Sequence, residues 1–102
     1  MYIQSYVDPV FVSLIMKIKG RLTDLADRKY IDSSSDKTIT ELSMKLCDVD
    51  ALSPTEFRAI GYLEEIYDKV LHANRINPDE MREATEIGER VVRIIDNRLE
   101  SA

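Results

Sequence analysis

Tryptophan is absent from this sequence, and cysteine and histidine occur once each, as Cys47 and His72. A lone cysteine excludes an internal disulfide and a thiolate-based zinc site; a free thiol suits a reducing compartment. A lone histidine excludes the paired Glu-x-x-His motifs that hold dinuclear metals in helical bundles. Glycine and proline number three each, too few for a turn-rich fold, so a few long elements are expected. No Gly-rich phosphate loop is present, and no apolar run approaches the roughly 20 residues of a membrane span. The opening Met1-Tyr2-Ile3-Gln4-Ser5 has neither the basic region nor the apolar stretch of a secretion signal, so a cytoplasmic location is expected. No cofactor or metal is expected on this inventory.

What is present is ordinary for a single globular domain. The 102 residues are 44% hydrophobic and 32% charged, enough for one core spanning 1–102 and too little for two. The spacing predicts an all-α fold, a compact antiparallel bundle of four main helices at about 8–30, 38–49, 54–74 and 78–100. The first opens at Asp8-Pro9, an acceptor for orphan N–H groups followed by proline at the first helical position, with Val7 and Val12 placed as a hydrophobic staple. Phe11, Ile15, Ile18, Leu22 and Leu25 then mark one face. Between Val10 and Met16 apolar residues surround the helix, which places this half centrally in the core. Gly20 falls mid-helix, where close packing of a neighbour would explain it.

Residues 31–37 are expected to form a flexible linker. Thr38 and Glu41 make a capping box before a short stripe of Ile39, Leu42, Leu46 and Val49. Ser53-Pro54-Thr55-Glu56 aligns cap, proline and box residue in one signal. The helix it starts is expected to bury Phe57, Ile60, Leu63, Tyr67, Val70 and Leu71. Asn77-Pro78-Asp79-Glu80 repeats that logic for a last helix turning Met81, Ala84, Gly88, Val91, Ile95 and Leu99 inward.

The net charge of −5 is unevenly spread. Residues 1–36 are neutral, residues 37–73 hold seven acids against four bases, and residues 74–102 hold seven against five. Within 37–73, Gly61, Glu65, Asp68 and His72 line up at helical steps opposite the apolar face, with Glu64 beside them. Asp48, Asp50 and Glu56 add acid around the preceding turn. Tyr62, and Tyr30 at the linker, are candidate aromatic anchors of the kind that dominate interface energies. Together these suggest a docking surface for a basic protein, whose approach such a field accelerates.

Catalysis finds little support. Cys47 and His72 lie on different predicted helices, as a partly buried filler and a helix-terminal residue favoured by the dipole. The Mg-binding carboxylate pattern of the all-helical nucleotide pyrophosphatases is met only in reversed order, Glu65-x-x-Asp68 before Glu80-x-x-Glu83, and position 93 is Arg. An enzyme is therefore not expected.

Residues 76–100 resemble a helix-turn-helix: Pro78 to Ala84 as the first helix, Ile87-Gly88-Glu89 near the turn, and Arg90, Arg93 and Asn97 toward the major groove. Leu52 to Arg58 is likewise similar to the opening helix of winged-helix regulators. Against this reading, the usual turn glycine position is Glu86, and the net charge opposes phosphate neutralisation. Glu86 with Arg90 and Glu89 with Arg93 are also ideal i, i+4 pairs for an uninterrupted helix. In size, charge and class the chain is similar to immunity proteins and antitoxins. That similarity implies a cytoplasmic bacterial inhibitor that occludes the active site of a basic nuclease toxin. A DNA-binding regulator and a self-associating structural bundle, such as a homodimer, are the competing expectations.

Overall fold

A computed structural model of the chain describes residues 9–32, 38–72 and 76–101. It is an all-α bundle of four helices, α1 (Pro9–Arg28), α2 (Ile39–Asp48), α3 (Pro54–Leu71) and α4 (Pro78–Ser101), with no strand among the described residues. Val7 and Asp8, expected to open α1, lie outside them, as do residues 33–37 of the expected linker.

The helix starts follow cap chemistry. Thr38 Oγ1 accepts from Glu41 N at 3.1 Å. At α3 the capping box is complete: Ser53 Oγ accepts from Glu56 N at 3.2 Å, and Glu56 Oε1 accepts from Ser53 N at 2.8 Å. Asn77 Oδ1 accepts from Asp79 N at the start of α4, at 2.7 Å.

The ends of α1 and α2 are more unusual. Both close in Schellman motifs, with Tyr30 N on Asp27 O and Ile31 N on Ala26 O, then Asp50 N on Cys47 O and Ala51 N on Leu46 O. The left-handed residue in each is not glycine but Tyr30 (φ 57°) and Asp50 (φ 60°). An L-residue held there costs about 1–2 kcal/mol. Ile31, expected in the linker, instead packs on the core.

The direction of the chain follows from cross-helix contacts. Leu14 meets Gly88 and Arg21 meets Asp96, while Arg28 Nη1 donates to Leu99 O, so α1 and α4 run parallel. Arg98 meets Glu56 and Lys69 meets Glu80, so α3 and α4 are antiparallel. The brief 49–53 turn makes α2 antiparallel to α3. Thus α3 alone runs against the other three, and up-down alternation holds only from α2 to α4.

The core is built from Phe11, Ile18, Leu22 and Leu25 of α1, Leu46 of α2, Ile60, Leu63 and Ile66 of α3, and Ile95 of α4, all essentially without solvent access. At Gly88 the Leu14 side chain of α1 reaches the α4 backbone. A Cβ there would overlap Leu14 Cδ2 and lie 3.0 Å from Leu14 Cγ, so only glycine fits this spacing without displacing Leu14. Gly20 differs: nothing lies within 4 Å of a Cβ at that position, so close packing within the monomer does not explain it.

Some expected core positions face outward. Val10 is 65% and Met16 58% exposed, because α4 and α3 cover only part of the all-round apolar half of α1. Val49 and Leu71 are also exposed; Ile66 takes the buried place on α3, while Phe57 and Tyr67 are half-buried.

Ile18→Ala and Val91→Ala are each expected to lower stability by about 2–4 kcal/mol through cavity formation. Gly88→Val should cost about 2–3 kcal/mol by forcing Leu14 away. Gly20→Ala should gain about 0.5–1 kcal/mol, since nothing blocks the methyl and alanine favours the helix. Urea melts of the four variants check the set.

Candidate functional site

The acidic residues of the 37–73 segment separate into two kinds. Glu56 holds the structure together. Its carboxylate receives Arg98 through both guanidinium nitrogens, with Nη2 to Oε2 at 2.7 Å, while also capping α3. Arg98 Nη1 further donates to Ala51 O at 2.7 Å, tying the C-terminal part of α4 to the α2–α3 turn. Glu64 likewise serves packing: its Oε1 accepts from Thr40 N, in the first turn of α2, at 3.1 Å. A carboxylate at a helix N-terminus also meets the positive end of the dipole.

Glu65 and Asp68 are exposed and make no side-chain ion pair or hydrogen bond among the described residues. They sit on the outer face of α3. At steps of three, four and three, Gly61, Glu64, Asp68 and Leu71 share one side of that face, and Leu71 is 55% exposed. The Thr40–Glu64 bond places this side against α2, where Met44, four residues beyond Thr40, is 51% exposed. Carboxylates are thereby flanked by two bare aliphatic side chains.

The other side of the α3 face continues onto α4. Tyr62 is half-buried, and its phenol is held above the ordinary tyrosine value of 10.0 by burial and by the carboxylates of Glu83, Glu80 and Glu65. These acids come from two helices, Glu65 from α3 and Glu80 and Glu83 from α4. Among the described residues, Glu80 alone of these acids is ion-paired, with Lys69 Nζ at 3.9 Å. In the sequence Glu80 and Glu83 stood out only as a carboxylate pair at i, i+3, weighed for metal binding; their place near Tyr62 was not visible there. No group of three or more such side chains among the described residues could hold a metal ion.

The remaining candidates do not join this surface. Asp48 and Asp50 are exposed beside the α2–α3 turn, and Glu56 stands 12 residues before Asp68, about 18 Å along α3. His72 caps the end of α3, its Nδ1 2.8 Å from Asp68 O. Cys47 is a free, half-buried thiol. Gly61 has open space above it, with nothing within 4 Å of a Cβ.

A second feature lies between other helices. Between α1 and α4 a groove of about 540 Å³ is lined by apolar Val10, Leu14 and Val92 together with the charged Lys17, Glu89 and Arg93. The α4 helix runs unbroken from Pro78 to Ser101, so the turn that a helix-turn-helix needs near residue 87 does not form. The expected ion pairs of Glu86 with Arg90 and Glu89 with Arg93 are also absent among the described ion pairs.

No helix among the described residues is long and apolar enough to cross a membrane. No protein-family model, curated protein or solved structure matches the chain.

Arg98→Ala should lower stability by about 1–3 kcal/mol, since it strands a largely buried carboxylate. Glu56→Ala should cost more because the α3 cap is lost as well; the double variant should cost less than the two singles combined, as a double-mutant cycle in urea would show. For Tyr62, a folded-state value above the unfolded one leaves stability intact at neutral pH. Stability is then lost as pH rises past the ordinary tyrosine range, because the unfolded chain deprotonates first. Tyr62→Phe should remove a phenol that titrates above the ordinary tyrosine value from an ultraviolet absorbance titration and flatten the alkaline loss.

Proposed function

We propose that this chain is a stoichiometric protein-binding inhibitor whose outer α3 face receives a basic partner. In its finer form, the proposal is an immunity protein or antitoxin of bacterial type, acting in the cytoplasm and occluding the active site of a basic nuclease toxin. The observation that supports it is the composition of that face. Glu65, Asp68 and Glu83 make no ion pair among the described residues, while Leu71 and Met44 stand exposed. Interfaces of this kind combine a few apolar anchors with a charged field that accelerates encounter.

The division of labour among the acids adds support. Glu56, Glu64 and Glu80 each have a neighbour within the bundle, so the fold does not need the other three in the same way. Charges that stabilise nothing inside the molecule are free to act outside it. The reading assigns binding and not catalysis to the chain. A DNA-binding alternative loses its motif in the continuous α4.

The test uses Glu65→Lys, Asp68→Lys and Glu83→Lys together, with a toxin-like protein encoded beside this chain as partner. Circular dichroism should remain unchanged, since none of the three side chains is engaged in the fold. Association should slow by about tenfold or more and lose most of its salt sensitivity. Leu71→Ala should instead speed dissociation. Unchanged kinetics in both variants would overturn the proposal, as would retention of a specific DNA fragment at physiological salt.

A further inference from the structure

The first half of α1 is apolar on every side, yet one side of it stays bare. Met16 is 58% exposed, and Ser13, Lys17, Gly20, Asp24 and Asp27 share its outward face at helical spacing. Lys17, Asp24 and Asp27 make no side-chain ion pair or hydrogen bond among the described residues. Gly20 sits in the middle of this row. Its backbone is helical, nothing fills the space above it, and no turn or positive φ requires glycine. Within the monomer Gly20 therefore only weakens the helix.

We infer that this face of α1 binds the same face of a second copy, the two helices running antiparallel about a two-fold axis near Gly20. The order of charges selects that occupant. The row reads cation, glycine, anion, so reversing one helix on another sets Lys17 of each copy opposite Asp24 of the other. Ser13 then falls opposite Asp27, and both contacts occur twice by symmetry. Parallel pairing would instead oppose lysine to lysine and aspartate to aspartate. The two Met16 side chains pack on either side of the axis, where the glycines let the backbones approach. Such an isologous contact closes on itself and cannot propagate. One helix face per copy covers well under the roughly 800 Å² per partner of a stable interface, so the dimer is weak and concentration-dependent. It leaves the outer face of α3 uncovered and does not rest on the proposed inhibitor function.

Sedimentation velocity of the purified chain alone, across a concentration series, tests this. The wild-type protein should shift from monomer toward dimer as concentration rises, and less so at high salt. Lys17→Asp and Asp24→Lys each turn two attractions into two repulsions. Each should move the midpoint concentration upward by about tenfold or more, and the double variant Lys17→Asp/Asp24→Lys should restore association. Gly20→Leu should abolish the dimer while raising the monomer's melting temperature, which separates loss of contact from loss of fold. A monomer at every accessible concentration would overturn the inference. So would a double variant no better than the singles, or wild-type dimerisation by Gly20→Leu.

Discussion

The close approach of α1 and α4 at Gly88 sets the arrangement of the bundle. Without a Cβ at that position, Leu14 seats against the α4 backbone, with Ile18 beside it. Their parallel alignment is reinforced farther along by Arg21 with Asp96, 2.6 Å apart, and by Arg28 on the Leu99 carbonyl. Once α4 lies parallel to α1, α3 must run against both, and α2, antiparallel to α3, runs with them.

Charge serves the same arrangement through a second device. The Glu56 carboxylate is 15% exposed on its side chain and satisfies two demands at once, the open N–H of Ser53 and the Arg98 guanidinium. A partly buried bidentate pair of this sort is worth more than a surface contact because water competes less for its groups. It fixes the far end of α4 to the turn before α3. Glu64 ties α3 to the first turn of α2 in a smaller way. The negative charge of the middle segment is thus partly structural, and the proposed docking surface takes what remains: Glu65, Asp68 and, from α4, Glu83.

Much of the fold was legible because caps and apolar stripes are local. Ser53-Pro54-Thr55-Glu56 formed the capping box it spelled out, and the α1 stripe from Phe11 to Leu25 is buried throughout. What could not be read depends on distant neighbours. Leu71 fits the apolar face by spacing, yet α3 ends there and the residue is left in solvent, while Ile66 is drawn inward. The αL positions at Tyr30 and Asp50 carry no glycine to announce them, although both helices end in the geometry glycine usually supplies. Parallel pairing of α1 with α4 has no local signature at all. In the candidate site, Glu65, Asp68 and Tyr62 were visible in the sequence. Their convergence with Glu80 and Glu83 needed the α3–α4 contact, and the structural use of Glu56 needed Arg98, 42 residues away.

The central claim is that the outer face of α3, and not the arginines of α4, meets the partner. Amide hydrogen exchange of the chain with and without a partner captured from its native cell addresses that directly. The account predicts new protection along residues 61–72 and around Met44, with Arg90 and Arg93 and their neighbours unchanged. Protection centred on the Arg90–Asn97 face of α4, with α3 unaffected, would contradict it.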